Sequence, residues 1–198
     1  MKKIMFVLIL LLCSYLILNA GGIAATGLRI GYNSSTFSGE DIPGKDVRSI
    51  PGFTVGGFVS FEYNEKLLFQ PEVLLTTKGS MINTIGDIEQ ANIFVYLEMP
   101  LLVKMKFLPT AKLKPNIFAG PTFNLKTLAI NDVGVLDDIN GLDCGFVAGA
   151  GVDYGRISFE FRYEKGLMNF DKSADDIDLK NQTISFLFGI TFITARGK

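Results

Sequence analysis

The chain has no histidine and only two cysteines, and its charges nearly cancel, with 19 Lys plus Arg against 20 Asp plus Glu in 198 residues. Without an imidazole there is no usual base for a Ser-His hydrolase, and the commonest neutral metal ligand is missing. Asp and Glu pairs could still supply acid-base chemistry, but no spacing singles one out. A balanced charge gives no overall basic field, so no nucleic-acid partner is expected. A second helical span is also lacking: the most apolar later stretch, Ile93 to Leu108, carries Glu98, Pro100, Lys104 and Lys106, which are costly in a helix crossing a bilayer. Even so, the mean hydropathy is +0.32.

The first residues explain part of that hydropathy. Met1, Lys2 and Lys3 precede an apolar run from Ile4 to Leu18 and small residues from Ala20 to Ala25. A basic start, a short apolar core and a small-residue exit predict a signal peptide over 1–25, cut somewhere after 20–25. The run is shorter than the roughly twenty apolar residues that spanning requires, which argues against a retained anchor. Cys13 raises lipid attachment, but the residue before it is the large Leu12. Removal of the leader leaves Cys144 alone, so no internal disulfide staples the fold. Cys144 is read as a small apolar residue.

What the rest of the chain does have is alternation. Ile184, Phe186, Phe188, Ile190 and Phe192 share one face, and Thr183, Ser185, Leu187, Gly189 and Thr191 the other. Ile157 to Glu164 and Val95 to Phe107 repeat the pattern. Five further segments keep the parity: Leu28 to Tyr32, Phe53 to Tyr63, Phe69 to Thr77, Pro115 to Leu125 and Phe146 to Tyr154. Leu74, Phe58 and Phe118 break it by placing large groups on the polar face. The gaps alternate too, long at Phe37 to Pro51, Gly79 to Ala91, Ala129 to Asp143 and Gly166 to Lys180, short at Asn64 to Lys66, Leu108 to Lys112 and Gly155. This rhythm predicts an all-β, eight-stranded antiparallel up-and-down transmembrane β-barrel over 26–192, with four long extracellular loops and three short periplasmic turns. Residues 193–198 form a C-terminal extension.

Parity does not say which face is inside, but volume does. An eight-stranded barrel encloses only enough space for side chains or one small ligand. The apolar face carries too many large groups to fit there, so it turns toward lipid. The other face suits a narrow lumen, because Gly27, Gly31, Gly56, Gly120, Gly145, Gly149, Gly151 and Gly189 intersperse its long polar groups. Tyr63, Phe107, Tyr154, Tyr163 and Phe192 are expected near the short-turn ends, as an interfacial aromatic girdle.

Several strings resemble the PorT-type family of small outer-membrane barrels common in Bacteroidota-like bacteria. They are Gly52-Phe53, Gln70-Pro71-Glu72 with Lys78-Gly79, the run Tyr96 to Lys104 (YLEMPLLVK), Ala119-Gly120-Pro121, Gly149-Ala150-Gly151-Val152, and Arg162-Tyr163 with Gly166-Leu167. The resemblance covers most of the chain after the leader and implies an eight-stranded barrel in the bacterial outer membrane. One branch of that family is linked to protein secretion. The chain departs from such barrels by running past Phe192. Pro71, Pro100 and Pro121 fall inside expected strands, where each removes a ladder hydrogen bond and suggests a bulge.

The lumen face carries Arg29, Glu62, Glu72, Lys78, Glu98, Lys104, Lys106, Lys114, Lys126, Asp153, Glu160, Arg162 and Glu164. Acids and bases are near balance, as a self-pairing plug requires. Glu72, Glu98, Lys104 and Arg162 are expected at its centre, with a structural role; an ion path is the competing reading. No catalytic residue, metal site or cofactor is expected. Asp175, Asp176 and Asp178 lack the full ligand pattern of a calcium loop, so weak calcium binding through lipopolysaccharide is the most they suggest. The expected role is non-enzymatic: a barrel displaying loops for envelope integrity, adhesion or assembly with an envelope or secretion partner. Outer-membrane lipid, lipopolysaccharide and the barrel-assembly machinery are the other expected partners. The alternative is a small-molecule or lipid-binding barrel, either a periplasmic carrier or one with a ligand site at the loop end.

Overall fold

The computed structural model describes residues 22–38, 46–84, 88–131, 134–135, 142–167 and 180–194. Most of the expected signal peptide and the acidic cluster at 175–178 lie outside these residues. Eight long strands form the wall: β1 (Ile23–Ser38), β2 (Asp46–Glu62), β3 (Leu67–Thr84), β4 (Ile88–Lys106), β5 (Leu113–Asn131), β7 (Leu142–Tyr154), β8 (Ile157–Gly166) and β9 (Lys180–Thr194). The two-residue β6 (Gly134–Val135) pairs only with the end of β5. All pairings are antiparallel, successive wall strands are neighbours, and β1 pairs with β9 to close the cylinder. Closure gives each of the eight wall strands a neighbour on both sides, sparing the bilayer an open sheet edge.

The faces fall as the side-chain volumes require. Outward lie Leu28, Ile30, Phe53, Val73, Phe146, Phe159 and Phe186; Phe53 is 71% exposed and Phe186 59%. Inward lie Arg29, Glu72, Lys78, Glu98, Lys104, Glu160 and Arg162, each at most 4% exposed. This inversion of a soluble core makes the outer surface suited to hydrocarbon. Phe159 packs against Phe188 at 5.2 Å between ring centres, and Phe161 against Phe186 at 5.3 Å, reinforcing the β8–β9 pair from the lipid side.

The strand ends differ from the alternating segments of the sequence. β3 and β4 stay paired beyond Gly79 and Ala91, up to Thr84 opposite Ile88, so only residues 85–87 separate them. β9 continues past Phe192, with Ile193 opposite Thr26 and Thr194 opposite Ala25. At the other end the tight turns lie where expected. Gly155, at φ 59, takes the left-handed conformation of the hairpin that puts Tyr154 opposite Ile157. Tyr63, Phe107, Tyr154 and Phe192 are exposed at this end. Tyr163 is not with them: it pairs with Ala148 and Ile184, nearer the opposite rim, where its hydroxyl accepts a 2.7 Å hydrogen bond from Gln182.

Pro71, Pro100 and Pro121, the prolines within the alternating segments, do not make bulges. Pairing of β2 with β3 lapses between Phe58/Glu72 and Phe61/Phe69, around Pro71. It lapses in β3–β4 between Pro71/Leu101 and Leu74/Glu98, beside Pro100, and in β4–β5 between Pro100/Thr122 and Val103/Ala119, around Pro121. The register is the same on both sides of each gap. A proline removes one donor without adding a residue, so the ladder skips and resumes.

Candidate functional site

The lumen holds two charged clusters. In the first, Arg162 of β8 forks onto Glu72 of β3, with Nη1 donating to Oε2 at 2.8 Å and Nη2 to Oε1 at 2.9 Å. Its Nη2 also donates to Glu160 Oε2 at 2.6 Å, two residues away on the same strand face. Arg29 of β1 sits between the same two carboxylates, 3.1 Å from Glu72 and 2.8 Å from Glu160. Those contacts are ion pairs without hydrogen-bond geometry. Lys104 of β4 completes the set, 3.1 Å from both Glu160 and Asp153. Three cations thus meet three carboxylates, drawn from five strands of the wall, β1, β3, β4, β7 and β8.

Neutral groups finish the coordination. Gln70 donates to Glu72 at 2.6 Å and accepts from Ser60 at 2.9 Å. The two guanidinium groups lie over aromatic rings, Arg29 on Phe58 at 4.5 Å and Arg162 on Phe118 at 5.2 Å. This accounts for two of the large groups that break the polar face. Each ring needs a glycine beside it: a Cβ at Gly27 would stand 2.7 Å from the Phe58 ring, and one at Gly149 2.5 Å from Phe118.

In the second cluster Lys78 bridges two carboxylates, pairing with Glu98 and donating to Glu164 at 2.9 Å. Thr76 donates to Glu98 at 3.0 Å, and Asn124 to Glu164 at 2.7 Å. A chain of hydroxyls and amides, Asn33 to Thr54 to Thr76, carries the network round to β1. Lys126 lies over Phe94 at 4.5 Å toward the same rim. A cavity of about 20 Å³ touches both clusters, at Arg162 on one side and Glu98 and Glu164 on the other, with Leu74, Val147 and Leu187 in its wall. That volume is of the order of a single water molecule.

Of the four residues expected at the centre, Glu72, Lys104 and Arg162 share the first cluster; Glu98 stands apart in the second. Glu160 and Arg29 are as central as any of them, yet alternation alone gives them no priority over other lumen charges. The available signals were weak: Glu160 and Arg162 share a strand face, and Arg29 is flanked by Gly27 and Gly31. Among the described residues, no three His, Cys, Asp or Glu are grouped to hold a metal ion.

A larger cavity, about 280 Å³, lies under the first cluster at the turn end. Glu65, Pro109, Thr110 and Gly155 of the three turns frame it, and Arg29, Gln70 and Lys104 form its inner end.

Comparison with known proteins agrees with this inverted cylinder. The crystal structure of Neisserial surface protein A (NspA) is similar at TM-score 0.53 and 15% identity, covering 86% of this chain and 99% of that one. The outer membrane protein OprG from Pseudomonas aeruginosa follows at TM-score 0.51 and 13% identity, covering 87% and 98%. The outer membrane enzyme PagL is more distant, at TM-score 0.44 and 13% identity, covering 82% and 98%, too far to speak to activity. Among curated proteins none matches in sequence. Identities this low establish the fold alone. The family described as outer membrane protein beta-barrel domain matches residues 22–172, and with the lipid-facing apolar wall this match settles the matter: the chain belongs to that family and resides in the bacterial outer membrane.

Proposed function

We propose that this protein is a non-enzymatic barrel with a sealed lumen, a rigid outer-membrane base that displays its loops for envelope integrity, adhesion or assembly with an envelope or secretion partner. The observation that carries this reading is the Arg29–Glu72–Arg162–Glu160–Lys104 cluster, which spans β1, β3, β4 and β8 and leaves its side chains at most a few per cent exposed. A hydrated pore needs solvated charges, whereas here the charges solvate one another. The PorT-type resemblance supports the same role. In the Tyr96–Lys104 string, Glu98 and Lys104 enter the two clusters and Pro100 borders a ladder gap, so its polar residues have work in the wall and plug. We further infer that lipopolysaccharide surrounds the loop end and that the barrel-assembly machinery inserts the chain.

Planar-bilayer recording of the refolded protein tests the seal. No steady single-channel conductance is expected at neutral pH, whereas large, stable unitary steps would replace the plug with a pore.

A further inference from the structure

We propose that the turn-end cavity is a binding site for a small zwitterionic solute of about dipeptide size, which is a function separate from the seal and independent of it. Its volume of about 280 Å³ lies just under the usual range for ligand pockets, roughly 300–1,000 Å³. It opens between the short turns, the end that faces the periplasm in barrels of this kind.

The charges around it are of two sorts. Arg29 and Lys104, at the inner end, are already matched by Glu72, Glu160 and Asp153. Lys106 and Lys114 are not tied into that cluster: they lie on the adjacent strands β4 and β5, both half-buried and both lining the cavity, and neither closes a salt bridge among the described residues, although Asp153 and Glu62 face Lys106 across the space. Glu62 of β2 lines the same cavity and likewise closes no salt bridge there, with Glu65 exposed beyond it in the turn. Two ammonium groups and a carboxylate that close no salt bridge therefore share one concave space, with Leu68 and Ile157 as apolar wall. A simple anion would satisfy the lysines but meet Glu62. A simple cation would do the reverse. A solute bearing both a carboxylate and an ammonium answers both sets, and an apolar side chain on it has a wall to cover.

The test titrates the full protein, folded in detergent, with glycyl-leucine at constant ionic strength while the backbone amide signals of Thr110, Gly155 and Ser158 are followed by NMR. Saturable shifts confined to these turn-end positions are expected. The N-acetylated and the C-amidated dipeptides each lose one charge and should bind about tenfold more weakly, as should the free dipeptide to the Lys106→Gln/Lys114→Gln double variant and to Glu62→Gln. Lys112→Gln, in the exposed turn outside the cavity, should bind like the parent. If the double variant does not fold, the capped dipeptides on the parent protein decide. No saturation with the free dipeptide, or equal binding of a capped one, overturns the proposal.

Discussion

Arg162 shows what a single buried charge is worth in this barrel. It makes a two-pronged contact with Glu72 and two bonds to Glu160, and its guanidinium is stacked on Phe118. Truncating it leaves both carboxylates buried and facing one another, with Arg29 and Lys104 as their remaining partners. Removing one member of a buried pair costs roughly 3–5 kcal/mol, far beyond the effect of an exposed side chain. Arg162→Ala should therefore lower the denaturant midpoint of the detergent-folded protein by an amount of that size, while Lys165→Ala, exposed on the same strand, leaves it near the parent value; equal midpoints for both would mean the cluster holds nothing together. Which residues would form the cluster was only partly legible. Alternation placed Arg29, Glu72, Lys104, Glu160 and Arg162 on one face, but their pairing spans up to ninety positions of sequence, as in Arg162 to Glu72. It depends on strand stagger, which no local pattern records. Phe58 and Phe118 looked like errors in the pattern for the same reason, because the cations they carry come from β1 and β8.

At the scale of strands, the sequence was read most easily where the chain crosses hydrocarbon. There one face must be apolar and the other polar, so alternation is strong from Ile157 to Glu164 and from Ile184 to Phe192. Past Gly79 and before Ala91 the alternation of the sequence stops, although the ladder does not. This is why Ser80, Asn83, Glu89, Gln90 and Asn92 read as loop yet lie in paired β3 and β4. The prolines mark the opposite case, a pattern that persists while the ladder lapses. Pro71 faces Leu101, Pro100 faces Thr122 and Pro121 faces Phe146, so the gaps run as a transverse row through neighbouring strands. Missing hydrogen bonds lower the local cost of opening. Hydrogen exchange should therefore be faster for peptides covering 69–73, 98–102 and 119–122 than for those covering 157–163 and 184–190, where the β8–β9 ladder is unbroken. Uniform protection across all five would show that the gaps are filled and carry no weakness.

For the molecule as a whole, the fold turns on one comparison of volumes. Eight strands enclose a space whose middle is taken by buried groups: Arg29, Glu72 and Leu102 are at most 2% exposed, the rings of Phe58 and Phe118 lie under the guanidinium groups, and the turn-end cavity adds only about 280 Å³. It has no room for the whole set of outward rings such as Phe53, Phe159, Phe161 and Phe186, which are 44% to 71% exposed and whose open surface is covered only if lipid chains surround it. Burying such groups in hydrocarbon gains roughly 1.5–3 kcal/mol apiece, so the bilayer supplies the apolar contacts that a soluble protein finds in its core. The chain has no tryptophan, so an introduced one reports without background. Phe159→Trp and Phe186→Trp variants, reconstituted in vesicles whose acyl chains carry bromine, should be strongly quenched, whereas Phe58→Trp and Phe118→Trp should keep most of their emission because the wall stands between them and the lipid. Quenching of the second pair but not the first would turn the barrel inside out, since the same parity would then place the glycine-bearing, ionic face against hydrocarbon and the aromatic face around the axis.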